Sequence, residues 1–127
     1  MSDTSTTPEP SVFDATCSAR HALELIASKW AILILRSLAE GPMRNGALKR
    51  QVQGISQKML TQTLRDLGRN GLVLRADLQI VPPHVEYRLS PVGLSLSQTL
   101  AGLDDWAVRN FPELDQARDA YDQAQRT

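Results

Sequence analysis

The sequence has little cysteine and no long hydrophobic run, and both shortages exclude whole classes of protein. Cys17 is the one cysteine among 127 residues, so the chain cannot form an intrachain disulfide or a cysteine-rich zinc site. The longest uninterrupted apolar run, from Trp30 to Leu35, is too short to span a membrane. The N-terminus lacks a basic segment followed by an apolar one, so we expect no secretory signal peptide. With 42% hydrophobic residues, the chain is expected to be one soluble, cytoplasmic domain with a packed core and no membrane partner.

The formal net charge is zero, but the charges are not evenly spread along the chain. Residues 36–75 carry eight basic side chains and two acidic ones, a net charge of +6. Residues 101–127 carry three basic and six acidic side chains, a net charge of −3. A basic central segment is typical of a surface that faces a polyanion such as nucleic acid, whereas an acidic segment would avoid one. The alternative is a solvent-exposed basic surface that binds nothing.

Hydrophobic periodicity predicts four helices followed by a β-hairpin. The helices are expected at about 16–27, 29–40, 45–51 and 56–69, and the strands at 72–78 and 85–89. Ser28 and Ser56 are of the residue type that caps helix N-termini, and Gly41-Pro42 ends the second helix. The first residues are rich in Ser, Thr and Pro without apolar periodicity, and residues 1–14 are expected to form a flexible tail.

The C-terminal part is predicted to be helical in two pieces. Ser90 as N-cap and Pro91 at the first helical position begin a long helix that reaches about residue 110. Pro112 disfavours a helix interior, so a separate last helix is expected to start there. The predicted fold class is therefore mainly α with a small β-hairpin (α+β). The layout predicts a winged helix-turn-helix domain over residues 15–111, with an extra helix at each end, and a C-terminal helical extension over 112–127.

The predicted fourth helix has two chemically different sides. Leu60, Leu64 and Leu67 share one side at helical spacing and would anchor the helix to the core. The opposite side has no carboxylate at its centre, which suits a recognition helix in the major groove because phosphate repels Asp and Glu. We expect its first four polar residues to reach bases and its two arginines to bind phosphates. These residues are Gln57, Lys58, Thr61, Gln62, Arg65 and Arg69.

The hairpin at about 75–88 would form the wing of such a domain. Arg75 on its first strand and His84 near its tip are candidates for contacts with the DNA backbone or minor groove. Arg44, Lys49 and Arg50 on the preceding helix are candidates for contacts with flanking phosphates. For each of these cations the alternative is an ordinary solvated surface charge.

Several sequence blocks occur in the order that characterises one family of bacterial regulators. They are Cys17 with Ala22-Leu-Glu-Leu-Ile26 and Lys29-Trp30, then Ile55-Ser-Gln-Lys-Met-Leu-Thr61 with Leu64-Arg-Asp-Leu67, then Gly71-Leu-Val-Leu-Arg75, then Pro82-Pro-His-Val-Glu-Tyr-Arg-Leu-Ser90 with Gly93, and finally Trp106. On these residues the chain, over about 17–111, resembles the HxlR-type winged-helix transcriptional regulators.

The resemblance implies a homodimeric, DNA-binding repressor or activator whose subunits pair through the N-terminal helix and the long helix after the wing. It also implies that the N-terminal cysteine senses oxidants or electrophiles, as in some relatives. The chain departs from the family at two points, since Cys17 is followed by Ser18 rather than proline, and Arg44 by Asn45 rather than phenylalanine. His84 stands where a permanent cation is common, so a wing contact through it would weaken as the pH rises.

An apolar stripe follows the long helix at intervals of three to four residues. A helix of about twenty residues is about 30 Å long, which is more than a domain of this size needs to cover its own core. We therefore expect the stripe to reach a second copy of the chain, above all through its far half with Trp106 and Phe111, and the two-fold symmetry to match palindromic half-sites about 34–36 Å apart. The interface candidates are Leu96, Leu100, Leu103, Trp106 and Phe111.

Cys17 and His21 are four residues apart and would face the same way on a helix. A nearby imidazole lowers a thiol pKa, so one hypothesis is a redox switch in which oxidised Cys17 shifts the DNA-reading helices. The alternatives are an unreactive thiol, a thiol-dependent enzyme, and a winged-helix module that binds protein instead of DNA. No glycine-rich phosphate loop or paired carboxylates support an enzyme. Cys17, His21 and His84 are poorly placed for a shared metal, and we expect no cofactor.

Overall fold

Residues 9–126 form five helices and three short strands in the computed structural model, and residues 1–8 of the predicted tail lie outside the described range. From the second helix to the hairpin, the helices and strands begin and end within two residues of their predicted bounds. In chain order the elements are α1 (Ser18–Ile26), α2 (Lys29–Leu38), β1 (Met43–Arg44), α3 (Asn45–Gln51), α4 (Gln57–Arg69), β2 (Val73–Asp77), β3 (Val85–Leu89) and α5 (Pro91–Gln125).

The three strands form one antiparallel sheet in the order β1-β3-β2. β2 and β3 are the predicted hairpin, with Val73 opposite Leu89. β1 is not predicted by the sequence, because two residues are too few to show the alternation of a strand. It pairs Arg44 with Glu86 of β3, and thereby brings the start of α3 next to the wing.

Serine side chains begin three of the helices, as predicted. The Ala31 N–H donates to Ser28 Oγ at 3.5 Å and the Met59 N–H donates to Ser56 Oγ at 3.1 Å. The Gly93 N–H donates to Ser90 Oγ at 3.0 Å, with Pro91 in the first turn of α5. Each cap satisfies a backbone donor that the helix itself leaves free, which stabilises a helix end by about 1 kcal/mol.

The hydrophobic core lies between α2, α3, α4 and the sheet. Each fully buried aliphatic side chain contributes about 1.5–3 kcal/mol through its removal from water, so this cluster is what holds the short helices in place. One residue of α5 reaches into it. The core residues are Ala31, Ile34, Leu35, Leu38, Leu48, Val52, Ile55, Leu60, Leu64, Leu67, Leu72, Val73 and Leu100.

A polar junction fixes α5 against α2. The Arg36 guanidinium donates through Nε to Asp104 Oδ2 at 2.6 Å and through Nη1 to the Ser97 carbonyl oxygen at 3.1 Å. Ser97 Oγ in turn donates to the Leu35 carbonyl oxygen at 3.3 Å. Asp104 belongs to the acidic C-terminal segment, so part of that segment's charge serves to hold the long helix on the domain.

The predicted break at Pro112 does not occur, and α5 runs through it as one helix of 35 residues. Proline in a helix interior removes one hydrogen-bond donor and destabilises the helix by about 3 kcal/mol, which is why the sequence predicted a break at this residue. The helix continues because Val108, whose carbonyl loses that donor, is exposed and can be hydrated, and because strong helix formers such as Glu113 and Leu114 follow. Among the described residues, no helix is both long enough and apolar enough to cross a membrane.

Candidate nucleic-acid interface

α4 buries one side and exposes the other, as its sequence predicts. Leu60, Leu64 and Leu67 lie in the core, and Thr63 beside them is also buried, with its hydroxyl donating to the Met59 carbonyl oxygen at 2.7 Å. The polar side is open to solvent along the whole helix. Its exposed residues are Gln57, Lys58, Thr61, Gln62, Arg65 and Arg69.

Two hydrogen bonds within α4 orient the amide side chains on this surface. Gln57 Nε2 donates to Thr61 Oγ1 at 3.0 Å, and Gln62 Nε2 donates to Asp66 Oδ1 at 3.1 Å. Each amide keeps its carbonyl oxygen and one N–H free, which is the pair of groups that a glutamine uses to read adenine in the major groove. Asp66, the one carboxylate nearby, is half-buried and engaged with Gln62.

Arg75 lies beside α4 and not out along the wing. On β2, Arg75 lies on the same face of the sheet as Val73, and it is paired with Tyr87 of β3. Together with Thr61 and Arg65 it lines a cleft between α4 and the sheet. The structure therefore joins Arg75 to the cations of α4 in one basic surface.

The wing tip differs from the sequence expectation. His84 was expected to project near the tip, but it is 9% exposed and its carbonyl oxygen accepts from the Leu78 N–H at 2.9 Å, which closes the hairpin below the tip. The exposed tip is formed instead by uncharged residues, of which Val81 is 98% exposed. The pairing of the hairpin ends buries His84, so a direct DNA contact through its imidazole is not supported.

The His84 imidazole is held between two charged side chains. The Arg44 guanidinium donates through Nε to His84 Nε2 at 2.7 Å, and Glu86 Oε2 lies 3.2 Å from the same nitrogen. Arg44 itself is exposed, and it stands at the N-cap position of α3. The sequence does not reveal this cluster, because the contact joins residues 40 positions apart through the unpredicted strand β1.

The remaining cations of the predicted interface are on the surface of the same domain. Lys49 and Arg50 are exposed near the end of α3, and Arg69 is exposed at the end of α4. These side chains stay candidates for phosphate contacts, as the sequence proposed.

The predicted dimer stripe divides into two parts. Leu100 is 6% exposed and belongs to the protomer's own core, and Leu96 packs against that core, because α5 lies on α2 along its first half. The other three, Leu103, Trp106 and Phe111, leave about half of each side chain exposed. Leu96 and Leu100 therefore serve the core of the same chain, and the expectation of an interface stays with Leu103, Trp106 and Phe111 on the far half of the helix. Leu23 of α1 is also exposed.

Cys17 occupies the N-cap position of α1 and is half-buried. The nearby backbone N–H of Ala19, followed by that of Ser11, lowers the pKa of the Cys17 thiol, although neither closes a full side-chain capping hydrogen bond. The expected source of this shift was His21, but the backbone at the helix start produces it. Within residues 9–126, no group of three or more His, Cys, Asp or Glu side chains is placed to hold a metal ion.

Sequence comparison finds the same kind of protein over most of the chain. Residues 25–115 match the HxlR-like helix-turn-helix family. The HTH-type transcriptional regulator YtfH of Escherichia coli (strain K12), itself uncharacterized, is 41% identical over 111 residues, which are 87% of this chain and 88% of YtfH.

Solved structures share the architecture. YtfH from Salmonella typhimurium superimposes with a TM-score of 0.80 at 39% identity, covering 87% of this chain and 99% of that one. The redox regulator HypR in its oxidized form superimposes with a TM-score of 0.69 at 32% identity, covering 74% of this chain and 97% of HypR. The reduced form of the transcriptional regulator YodB from B. subtilis superimposes with a TM-score of 0.64 at 32% identity, covering 71% of this chain and 88% of YodB. The predicted winged helix-turn-helix class is thereby confirmed.

Proposed function

The chain belongs to the HxlR-like helix-turn-helix family and is a transcriptional regulator rather than an enzyme; from this premise we propose that it binds double-stranded DNA as a homodimer. In this proposal α4 enters the major groove, and the wing and the start of α3 lie along the backbone. The protein acts in the cytoplasm, where the chromosomal DNA is.

The exposed, carboxylate-poor side of α4 is the observation that carries the proposal. Six polar or basic side chains are open to solvent there, while the leucines behind them fix the helix to the core. Arg65 and Arg75 line one cleft at its edge, so phosphate-binding groups flank the groups that can read bases. A helix with this distribution of charge suits the negative potential of a DNA groove.

Homodimerisation is supported by the apolar surface that the protomer leaves uncovered. Leu103, Trp106 and Phe111 on α5 and Leu23 on α1 are large apolar side chains that remain half-exposed. Large apolar side chains that a protomer leaves open to solvent are candidates for a subunit interface. Two copies related by a two-fold axis would present two α4 helices to a palindromic operator with half-sites about 34–36 Å apart.

Replacing Arg65 with alanine should weaken binding to every duplex sequence by about tenfold, because a charge-assisted hydrogen bond to phosphate is lost. The plot of log K against log salt concentration should become shallower by about 0.9 for each half-site. Fluorescence anisotropy with a duplex selected from random-sequence DNA, and with an unselected duplex of the same length, measures both effects. Lys29→Ala removes an exposed cation at the start of α2, outside the proposed DNA surface and the proposed interface, and serves as the matched control, with unchanged affinity.

Replacing Thr61 or Gln62 with alanine should behave differently from Arg65→Ala within the same assay. Loss of a base contact relaxes the preference at one base pair by about 1–3 kcal/mol and leaves non-specific binding unchanged. If the wild-type protein binds no duplex, or binds with no salt dependence, the DNA-binding proposal is wrong and a protein-binding module becomes the better account.

We also propose that Cys17 makes the regulator responsive to oxidants or electrophiles. Its lowered pKa enlarges the fraction of reactive thiolate, and the similar protein HypR is named a redox regulator. Because the chain has one cysteine, a disulfide must join two chains, with two thiols losing two electrons and two protons to the oxidant. Such a bond at the start of α1 would alter how the two subunits present their α4 helices.

Oxidation with diamide should change the DNA affinity of the wild-type protein by about tenfold, and should leave Cys17→Ser unaffected. Iodoacetamide should alkylate Cys17 with a lower pH midpoint than it alkylates an unstructured cysteine peptide in the same buffer, because a lower pKa enlarges the thiolate fraction at each pH. The reduced forms of both proteins should bind DNA equally. An oxidised wild type that binds as the reduced protein does would rule out the switch and leave DNA binding intact.

A further inference from the structure

Arg44 and His84 are linked at the edge of the proposed DNA surface. Arg44 comes from β1 and His84 from the end of the wing loop, and the Arg44 Nε–H donates to His84 Nε2 at 2.7 Å. The guanidinium has two further nitrogens on an exposed residue, so this bond leaves its outer edge free for a phosphate.

The His84 Nε2 atom can serve only one of its two neighbours at a time. To accept from Arg44, the nitrogen must carry a lone pair, which requires the neutral ring with its proton on Nδ1. To donate to Glu86 Oε2, 3.2 Å away, the same nitrogen must carry a proton. The Arg44 bond therefore requires the neutral Nδ1–H tautomer, whereas the Glu86 bond forms with either the neutral Nε2–H tautomer or the protonated ring. Protonation leaves only the Glu86 bond, because it removes the lone pair that Arg44 needs.

The other charged groups around this imidazole do not compete for it. On β3, Glu86 and the exposed Arg88 alternate to one face of the sheet, and opposite Glu86 on β2 is Ala76. Within residues 9–126, Arg88 forms no ion pair, and the carboxylate of Glu86 is 3.2 Å from His84 Nε2. The charged residues of β2, Arg75 and Asp77, alternate to the other face of the sheet. On α3, Lys49 and Arg50 are exposed near the helix end, at least one turn beyond Arg44.

We propose that His84 is a positioning residue for DNA binding: its neutral imidazole holds the Arg44 side chain in place for a phosphate, and its protonation shifts the bond to Glu86 and releases Arg44. The inference rests on the proposed DNA-binding function. A guanidinium already fixed by its Nε loses less side-chain freedom when it binds phosphate, so the held state binds more tightly. Protonated His84 would also repel the Arg44 cation at this distance.

A double-mutant cycle tests the link at about pH 8. Arg44→Ala should lower affinity for the selected duplex by about tenfold, because a charge-assisted phosphate contact is lost. His84→Ala should lower it by a smaller factor, and the double variant should be no worse than Arg44→Ala alone. His84→Gln, which keeps a hydrogen-bond acceptor, should restore most of the affinity. Additive effects of the two alanine variants would overturn the proposal, as would a His84→Gln variant that folds normally and binds as poorly as His84→Ala.

The pH profile supplies a measurement that a purely structural role would not change. The affinity ratio of wild type to Arg44→Ala should fall towards one between about pH 8 and about pH 5.5, values on either side of the ordinary histidine pKa of about 6.5. In the His84→Gln background the corresponding ratio should stay constant. Taking ratios at each pH removes the general gain in DNA affinity that acid gives to any protein. A ratio that is flat or rises on acidification overturns the positioning role, while duplex binding by the wild type keeps the proposed function; no duplex binding at all overturns both.

Discussion

Replacing Gly93 with alanine should destabilise the protein by about 3 kcal/mol or more, a larger effect than most single substitutions have. Gly93 is buried in the first turn of α5, and a Cβ there would overlap the carbonyl oxygen of Leu72. That oxygen already accepts hydrogen bonds from the Ser90 N–H and hydroxyl, so it belongs to the backbone junction between the end of α4 and the start of α5. Because the obstacle is backbone, it cannot move aside without breaking these bonds.

Urea unfolding of Gly93→Ala and the wild type, at one protomer concentration, measures the difference in the free energy of unfolding. Gly46→Ala is the matched control, since Gly46 is a helical glycine of α3, outside the proposed interface, at which a Cβ would meet only the Arg50 side chain at 3.5 Å. That control should be more stable than the wild type by about 0.5–1 kcal/mol, because alanine is the better helix former. If both alanine variants were stabilised equally, the close approach of α5 to Leu72 would be wrong.

Replacing Trp106 with glutamate should convert the proposed dimer into monomers and lower operator affinity by about a hundredfold or more. In a two-fold interface the substitution occurs twice, and each carboxylate would be buried against apolar groups. A monomer engages one half-site, so it loses the gain of about two to four orders of magnitude that linked binding gives. Sedimentation equilibrium measures the oligomeric state, and anisotropy measures DNA binding.

Leu94→Glu is the appropriate control for this substitution. Leu94 is also a half-exposed apolar residue of α5, but it lies in the first turns of the helix, before the part proposed to pair. This variant should remain dimeric and bind the operator as the wild type does. A Trp106→Glu protein that still sediments as a dimer would place the subunit interface elsewhere.

The local structure of this protein was largely predictable because its signals are local. Ser56 followed by leucines at helical spacing marks both the start and the buried side of α4, and the structure agrees on both. The exposure of Arg65 and its neighbours follows from the same spacing, since side chains opposite a buried stripe must face solvent. Pro112 is the exception, because a local penalty of a few kcal/mol does not determine the structure when the residues on both sides favour a helix.

The amino-acid order alone determined most of the elements, the exposed polar side of α4 and the resemblance to a family, since each depends on residues within a few turns of one another. Tertiary structure alone decided which side chains became unavailable: His84 turned inward to Arg44 and Glu86, and Leu100 entered the protomer's own core. Tertiary structure also explains the glycine at position 93, since a Cβ there would overlap the carbonyl oxygen of Leu72. Contacts between distant parts of the chain form only after packing brings them together, and their partners leave no periodic trace in the sequence.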